Sequence, residues 1–203
     1  MSGTVFLAFC IAATTAMDAS CTTKMPVLPA NAAIVAFGDS LTFGTGAAPG
    51  KSYPAVLEKL ASRKVINAGI PGETTRQGLA RLPALLDTYR PSLLILCHGA
   101  NDLIQGLKEK KAADNIREMI RQAQKRGIHV VLIGVPYPGN FTSQPSFYTM
   151  IADEFNIPFE RDALGMVLGD ASLKSDFIHP NARGYKIIAE KIAALLRKCG
   201  ALR

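Results

Sequence analysis

Residues 33–46 read AIVAFGDSLTFGTG. The first five, Ala33 to Phe37, are apolar without interruption, so an extended segment here buries both of its faces. That is the pattern of a strand inside a parallel sheet, not of one with a face open to water. The chain then turns polar at once, through Gly38, Asp39 and Ser40. In open parallel sheets ligands sit beyond the carboxyl ends of the strands. Ser40 therefore falls where chemistry is expected, and it admits three readings: a nucleophile, a phosphate ligand in a glycine-rich loop, or a polar turn residue.

The same punctuation recurs downstream. Strand-like runs at 64–68 (KVINA), 92–97 (SLLILC), 129–135 (HVVLIGV) and 157–160 (IPFE) alternate with stretches of helical period at Tyr53–Ala61, Thr74–Tyr89, Lys111–Arg126, Phe147–Phe155 and Asn181–Lys198. Parallel strands need long crossovers, so this alternation predicts an α/β fold: a mostly parallel sheet of about five strands with helices on both faces. Reactive candidates again follow strands. GIPGETT follows the second, HGAND the third, and DFIHPN lies in the loop before the last helix.

A chain of 203 residues suits one domain. With 48% hydrophobic and 19% charged residues and no internal repeat, disordered and solenoid readings fall away. Residues 1–23 contain no Lys or Arg, and their apolar run from Val5 to Ala13 is too short to span a bilayer. It resembles the apolar core of a secretory signal, which predicts export to the periplasm or beyond. Cys21 follows Ala19-Ser20, so a lipidated anchor that associates with a membrane surface is the alternative. Residues 24–32, with Pro26 and Pro29 and no periodicity, read as a linker, and 33–203 as the domain. All 23 basic residues follow residue 23, together with 15 of the 16 acids. They spread over helices without aromatic interleaving, which fits a solvated basic face and argues against nucleic acid as a partner. The four cysteines show no C-x-x-C spacing, so neither a zinc site nor a disulfide framework is expected.

The phosphate reading of the glycine-rich segment fails on spacing. In GAAPGKS (46–52) the Gly50-Lys51-Ser52 triplet requires a glycine at position 45, which is Thr45. The nucleophile reading requires a base, an acid to orient it, and donors for the developing oxyanion. Of the three histidines, His129 opens a strand after a turn and reads as a surface residue, while His98 ends a strand beside the site. His179 differs, because Asp176-Phe177-Ile178-His179 sets a carboxylate three residues before an imidazole, and one tight turn can present both side chains. Asp39, adjacent to Ser40, points away in an extended turn and reads as support for the loop. Oxyanion donors are available from the Ser40 N–H, the Gly72 N–H and the Asn101 side-chain amide. Gly72 also reads as a turn glycine, and Asn101 with Asp102 as a helix-capping pair.

Together and in this order, the four segments resemble the GDSL or SGNH hydrolase family, over nearly all of Ala33 to Leu196. GDSL at 38–41 matches the serine block, Gly72 the glycine block, Gly99 to Asp102 the G-x-N-D block, and Asp176 to His179 the D-x-x-H block. NAGIPGETTRQGLARLPALL is similar to the branch of arylesterases, lysophospholipases and acyl-CoA thioesterase I. The resemblance implies a three-layer αβα, flavodoxin-like fold, with Ser40 as nucleophile, His179 as base and Asp176 as its partner. It also implies an oxyanion hole of Ser40, Gly72 and Asn101, while Asp39 and Asp102 read as support behind the site. The implied reaction is hydrolysis of a small-molecule or lipid acyl ester or thioester without metal or cofactor. A carbohydrate acetylesterase is the alternative within the family. A non-catalytic glycan- or lipid-binding module is the alternative outside enzymes.

Overall fold

The computed structural model describes residues 23–203. The leader expectation falls on the preceding segment and, apart from Thr23, lies outside the described residues. Five strands form one parallel sheet: β1 (Ala33–Gly38), β2 (Lys64–Gly69), β3 (Leu93–Cys97), β4 (His129–Ile133) and β5 (Phe159–Glu160), in the order β2-β1-β3-β4-β5. Helices α2 (Tyr53–Ala61), α3 (Thr75–Tyr89), α5 (Glu109–Lys125) and α6 (Phe147–Phe155) make the crossovers. The terminal helix α8 (Ala182–Lys198) packs beside α2, while α3, α5 and α6 pack together as a second layer. No helix among the described residues is long and apolar enough to cross a membrane.

The apolar runs become the strands they predict because the central positions are covered on both faces. Ile34 to Phe37 and Leu93 to Leu96 are fully buried. Two strands are shorter than their apolar runs: β4 ends at Ile133 and β5 keeps only Phe159 and Glu160. Three helices lack a sequence signature: α1 (Ser40–Phe43), α4 (Ala100–Ile104) and α7 (Ala163–Gly169). Each is two turns or shorter, too short for a 3.6-residue period to show.

Two expectations need correction. The segment 24–32 is not a free linker: Met25 and Leu28 are buried, and their N–H groups donate to the carbonyls of Cys199 (2.8 Å) and Ala201 (2.9 Å). Short-range spacing also gave no sign that Cys199 is disulfide-bonded. Its partner lies outside the described residues. Cys97 is a free, buried strand residue.

The chain reverses its direction of winding at β1. From there β2 is laid to one side and β3 to the other, so the helices leaving their ends diverge and open a crevice at the carboxyl edge. Close approach of β1 to β3 is secured at Gly38, where an added Cβ would stand 2.0 Å from the Cys97 carbonyl oxygen and 2.4 Å from Thr42 Oγ1. Gly38→Ala is therefore expected to destabilise the fold by about 1–3 kcal/mol or more through overpacking. Urea denaturation would show a lower midpoint at unchanged slope. A midpoint equal to wild type would mean that β1 and β3 tolerate separation.

Candidate active site

Ser40 is the first residue of α1, two positions past the end of β1. Its placement is set by Asp39, which is fully buried, caps this short helix and accepts from the Leu41 N–H at 3.0 Å. Burial pushes the Asp39 carboxyl up, partly offset by His98 and the Leu41 N–H. As the first helical residue, Ser40 has no intrahelical acceptor for its own N–H.

The loop from Leu173 to Asn181 brings the D-x-x-H pair across the crevice. Asp176 Oδ1 accepts from the N–H groups of Ile178 (2.9 Å) and His179 (2.8 Å), which folds the loop into a tight turn. Its base is closed by Ser175 N–H to the His179 carbonyl and Asn181 N–H to the Leu173 carbonyl. His179 Nδ1 is 2.7 Å from Asp176 Oδ2, and His179 Nε2 is 3.1 Å from Ser40 Oγ. A carboxylate only accepts, so Nδ1 carries the proton of the neutral ring. Nε2 is then the acceptor and the Ser40 hydroxyl donates. Burial raises the Asp176 carboxyl, but hydrogen bonds from the His179 ring and the two N–H groups outweigh it and hold Asp176 below the usual aspartate range. It stays ionised as the imidazole's partner.

Gly72 and Asn101 reach the same crevice from the ends of β2 and β3. Gly72 has φ +79° and follows Pro71 in a turn closed by the Glu73 N–H on the Ile70 carbonyl (3.2 Å), the type II pattern, which needs a glycine at this position. That turn leaves the Gly72 N–H unspent. Asn101 lies inside α4, whose cap is Gly99, so the capping reading of Asn101 does not hold. One proton of its amide goes to the Glu73 carbonyl at 2.9 Å, and the second is left over. Asn101 lines the same recess as Ser40 and His179. Asp102 ties α4 to the start of α3, accepting from the Thr75 N–H (2.8 Å) and hydroxyl (2.7 Å).

The other two histidines make no hydrogen bond to Ser40 or Asp176. His129 is exposed at the start of β4. His98 is wholly buried, and its Nε2 donates to Glu73 at 3.1 Å. Sequence reading passed over Glu73 and its partner Arg81, eight residues apart with no motif to join them. Beside Ser40 the recess is walled by Leu41, Ile104, Val135, Phe141, Leu168 and Ile178. It adjoins, at Pro136 and Phe141, an open groove of about 850 Å³. A hydroxyl, a base, its carboxylate and several convergent donors next to an apolar recess are the parts that acyl transfer requires.

Comparison with known proteins points the same way. Residues 36–187 match the model of the GDSL-like lipase/acylhydrolase family. The chain is 30% identical over 172 residues to the thioesterase 1/protease 1/lysophospholipase L1 of Escherichia coli K12, covering 81% of this chain and 83% of that protein. It is 32% identical over 176 residues to an arylesterase of Vibrio mimicus, covering 81% and 88%. Among solved structures, the psychrotrophic esterase EstA of Pseudoalteromonas superposes with a TM-score of 0.74 at 25% identity, covering 83% of this chain and 98% of that one. On its order of blocks, its parallel sheet and this match over most of its length, the chain belongs to the GDSL-like lipase/acylhydrolase family.

Proposed function

We propose that this enzyme hydrolyses carboxylic esters or thioesters through an acyl-enzyme on Ser40. The hydrogen-bond chain Ser40–His179–Asp176, closed across 139 residues of sequence, carries the reading. His179 takes the hydroxyl proton as Ser40 Oγ attacks the acyl carbonyl, and Asp176 stabilises the imidazolium that forms. The Ser40 N–H, the Gly72 N–H and the free proton of Asn101 Nδ2 receive the negative charge on the carbonyl oxygen. His179 then returns its proton to the leaving alcohol or thiol. Water, activated by the same imidazole, releases the acid. The apolar walls of the recess suit the acyl group, and the adjoining groove gives room for a long chain or a bulky leaving group.

Ser40→Ala should abolish turnover and covalent labelling by a fluorophosphonate in a protein that still folds. Labelling at the wild-type rate would place the nucleophile elsewhere. Rates on p-nitrophenyl esters from acetyl to palmitoyl, beside palmitoyl-CoA and a lysophospholipid, would assign the acyl class. Turnover confined to acetylated glycans would instead favour the carbohydrate acetylesterase.

Asn101→Asp separates an oxyanion donor from a structural polar residue. Asp has no proton to donate and adds charge beside the developing oxyanion, while the helix cap at Gly99 is untouched. Turnover should fall by at least about 100-fold with KM much less affected. Near wild-type turnover in the folded variant would remove Asn101 from the oxyanion hole.

Export completes the reading. It is supported by the apolar run from Val5 to Ala13 and by the absence of Lys and Arg from residues 1–23. Mass spectrometry of the mature N-terminus should find the chain cleaved, or lipidated at Cys21, in the cell-envelope or secreted fraction. Finding Met1 retained on cytoplasmic protein would exclude export.

A further inference from the structure

Glu73 is the only buried residue between Ile70 and Thr74, in a loop whose first three residues are exposed. An added Cβ at Gly72 would meet nothing within 4 Å. Such a loop has little apolar packing to fix it. It nevertheless carries Gly72 and orients Asn101. Both tasks pass through the main chain of Glu73: its N–H closes the turn that sets the Gly72 conformation, and its carbonyl holds the Asn101 amide at 2.9 Å.

The Glu73 side chain supplies the anchor that packing does not. Arg81 donates to it twice, from Nε at 2.5 Å and from Nη2 at 2.6 Å, and His98 Nε2 adds a third bond at 3.1 Å. These partners are themselves fixed to the strand ends. Arg81 Nη2 also donates to the carbonyls of Ala68 (2.8 Å) and Gly38 (3.4 Å), and its guanidinium lies 4.1 Å from the centre of the Phe37 ring. His98 follows β3 directly and is seated against Gly78, where a Cβ would come within 2.4 Å of Nε2. The carboxylate is thus tied by charge-assisted bonds to the ends of β1, β2 and β3. Burial works against its charge, and the bonds from His98 and Arg81 prevail, so Glu73 stays below the usual glutamate range.

We infer that Glu73 is a positioning residue: its buried carboxylate, clamped by Arg81 and His98, holds the Gly72 N–H and the Asn101 amide at the spacing that an oxyanion requires. The inference rests on the oxyanion-hole reading above. It gives the ion pair a task beyond stability, because a displacement of about 1 Å at donors of this kind costs on the order of 100-fold in rate.

The test is Glu73→Gln, which preserves shape but turns an amide NH₂ toward one of the donors and leaves Arg81 without its counter-charge. It should be assayed on a p-nitrophenyl ester beside Asn101→Ala and the double variant. We expect kcat to fall about 10- to 100-fold with KM within about threefold, since the misplaced donors act mainly on the transition state. In the double variant the loss should be well short of the product of the two single losses, because one variant removes a donor that the other displaces. If Glu73→Gln does not accumulate as folded protein, Arg81→Lys, which keeps the charge but loses the fork, should show the same pattern more mildly. A folded Glu73→Gln with kcat within twofold of wild type, while Asn101→Ala is crippled, overturns the inference and leaves the oxyanion hole standing. Losses that multiply in the double variant also overturn it, since they would assign Glu73 a separate structural role. Wild-type turnover in Asn101→Ala would remove the oxyanion reading itself, and the inference with it.

Discussion

Gly38 lies opposite Cys97 in the parallel pair β1–β3, and the carbonyl of Cys97 occupies the space that any side chain at position 38 would claim. This contact fixes how closely the two central strands leave the sheet together. The residues that follow, Asp39-Ser40 on one side and His98 to Asn101 on the other, consequently emerge as neighbours. On the far side Gly69 pairs with Gly38, so the Ile70–Thr74 loop joins the same cluster. Three of the four blocks thus meet because three strands end in register at the point where the winding reverses.

The fourth block arrives by another route. The loop from Leu173 to Asn181 belongs to no strand of the sheet and is built from local bonds: Asp176 folds the turn, Asn181 caps α8, and the backbone bonds at Ser175 and Asn181 close its base. Gly46, at φ +93°, lets the segment after α1 pass against Ser175 and the Pro180 carbonyl. Tyr185 on α8 donates to the Thr45 carbonyl at 2.8 Å. The segment bearing Ser40 and the segment bearing His179 are therefore docked directly on each other, and the 3.1 Å approach of their side chains does not hang on one flexible turn.

Ionisable groups are buried behind Ser40 and Asn101, where a charge left unpaired would be costly. Asp39 and His98 are inaccessible, and Glu73 nearly so. The pairing of Glu73 with Arg81 and His98 offsets that cost and converts it into directional constraint, because several short bonds to one carboxylate admit few alternative geometries. Asp102 acts similarly through Thr75, which in turn accepts from Asn115 at 2.9 Å. Gly72 lies on an exposed loop, and the buried polar groups behind it tie that loop to the strand ends.

The sequence by itself determined the fold class and picked out the candidate reacting residues. Short unbroken apolar runs such as Ala33–Phe37 and Leu93–Cys97, bounded by turn residues, read as strands covered on both faces, and the long periodic stretches between them fit parallel connections. Polar residues placed directly after such runs mark the open edge, which is why Ser40 and Asn101 stood out. The D-x-x-H spacing was legible because it is local: one turn joins Asp176 to His179. The tertiary structure alone decided what distance in sequence conceals. Helices of four to seven residues carry no period, the packing of Met25 and Leu28 against the chain end has no local signal, and a capping role for Asn101 could be dismissed only once Gly99 was seen to take it. Glu73, Arg81 and His98 meet from a loop, a helix and a strand end, and no spacing rule joins them. Their association follows from the register of the strands and from the need of a buried carboxylate to find its donors.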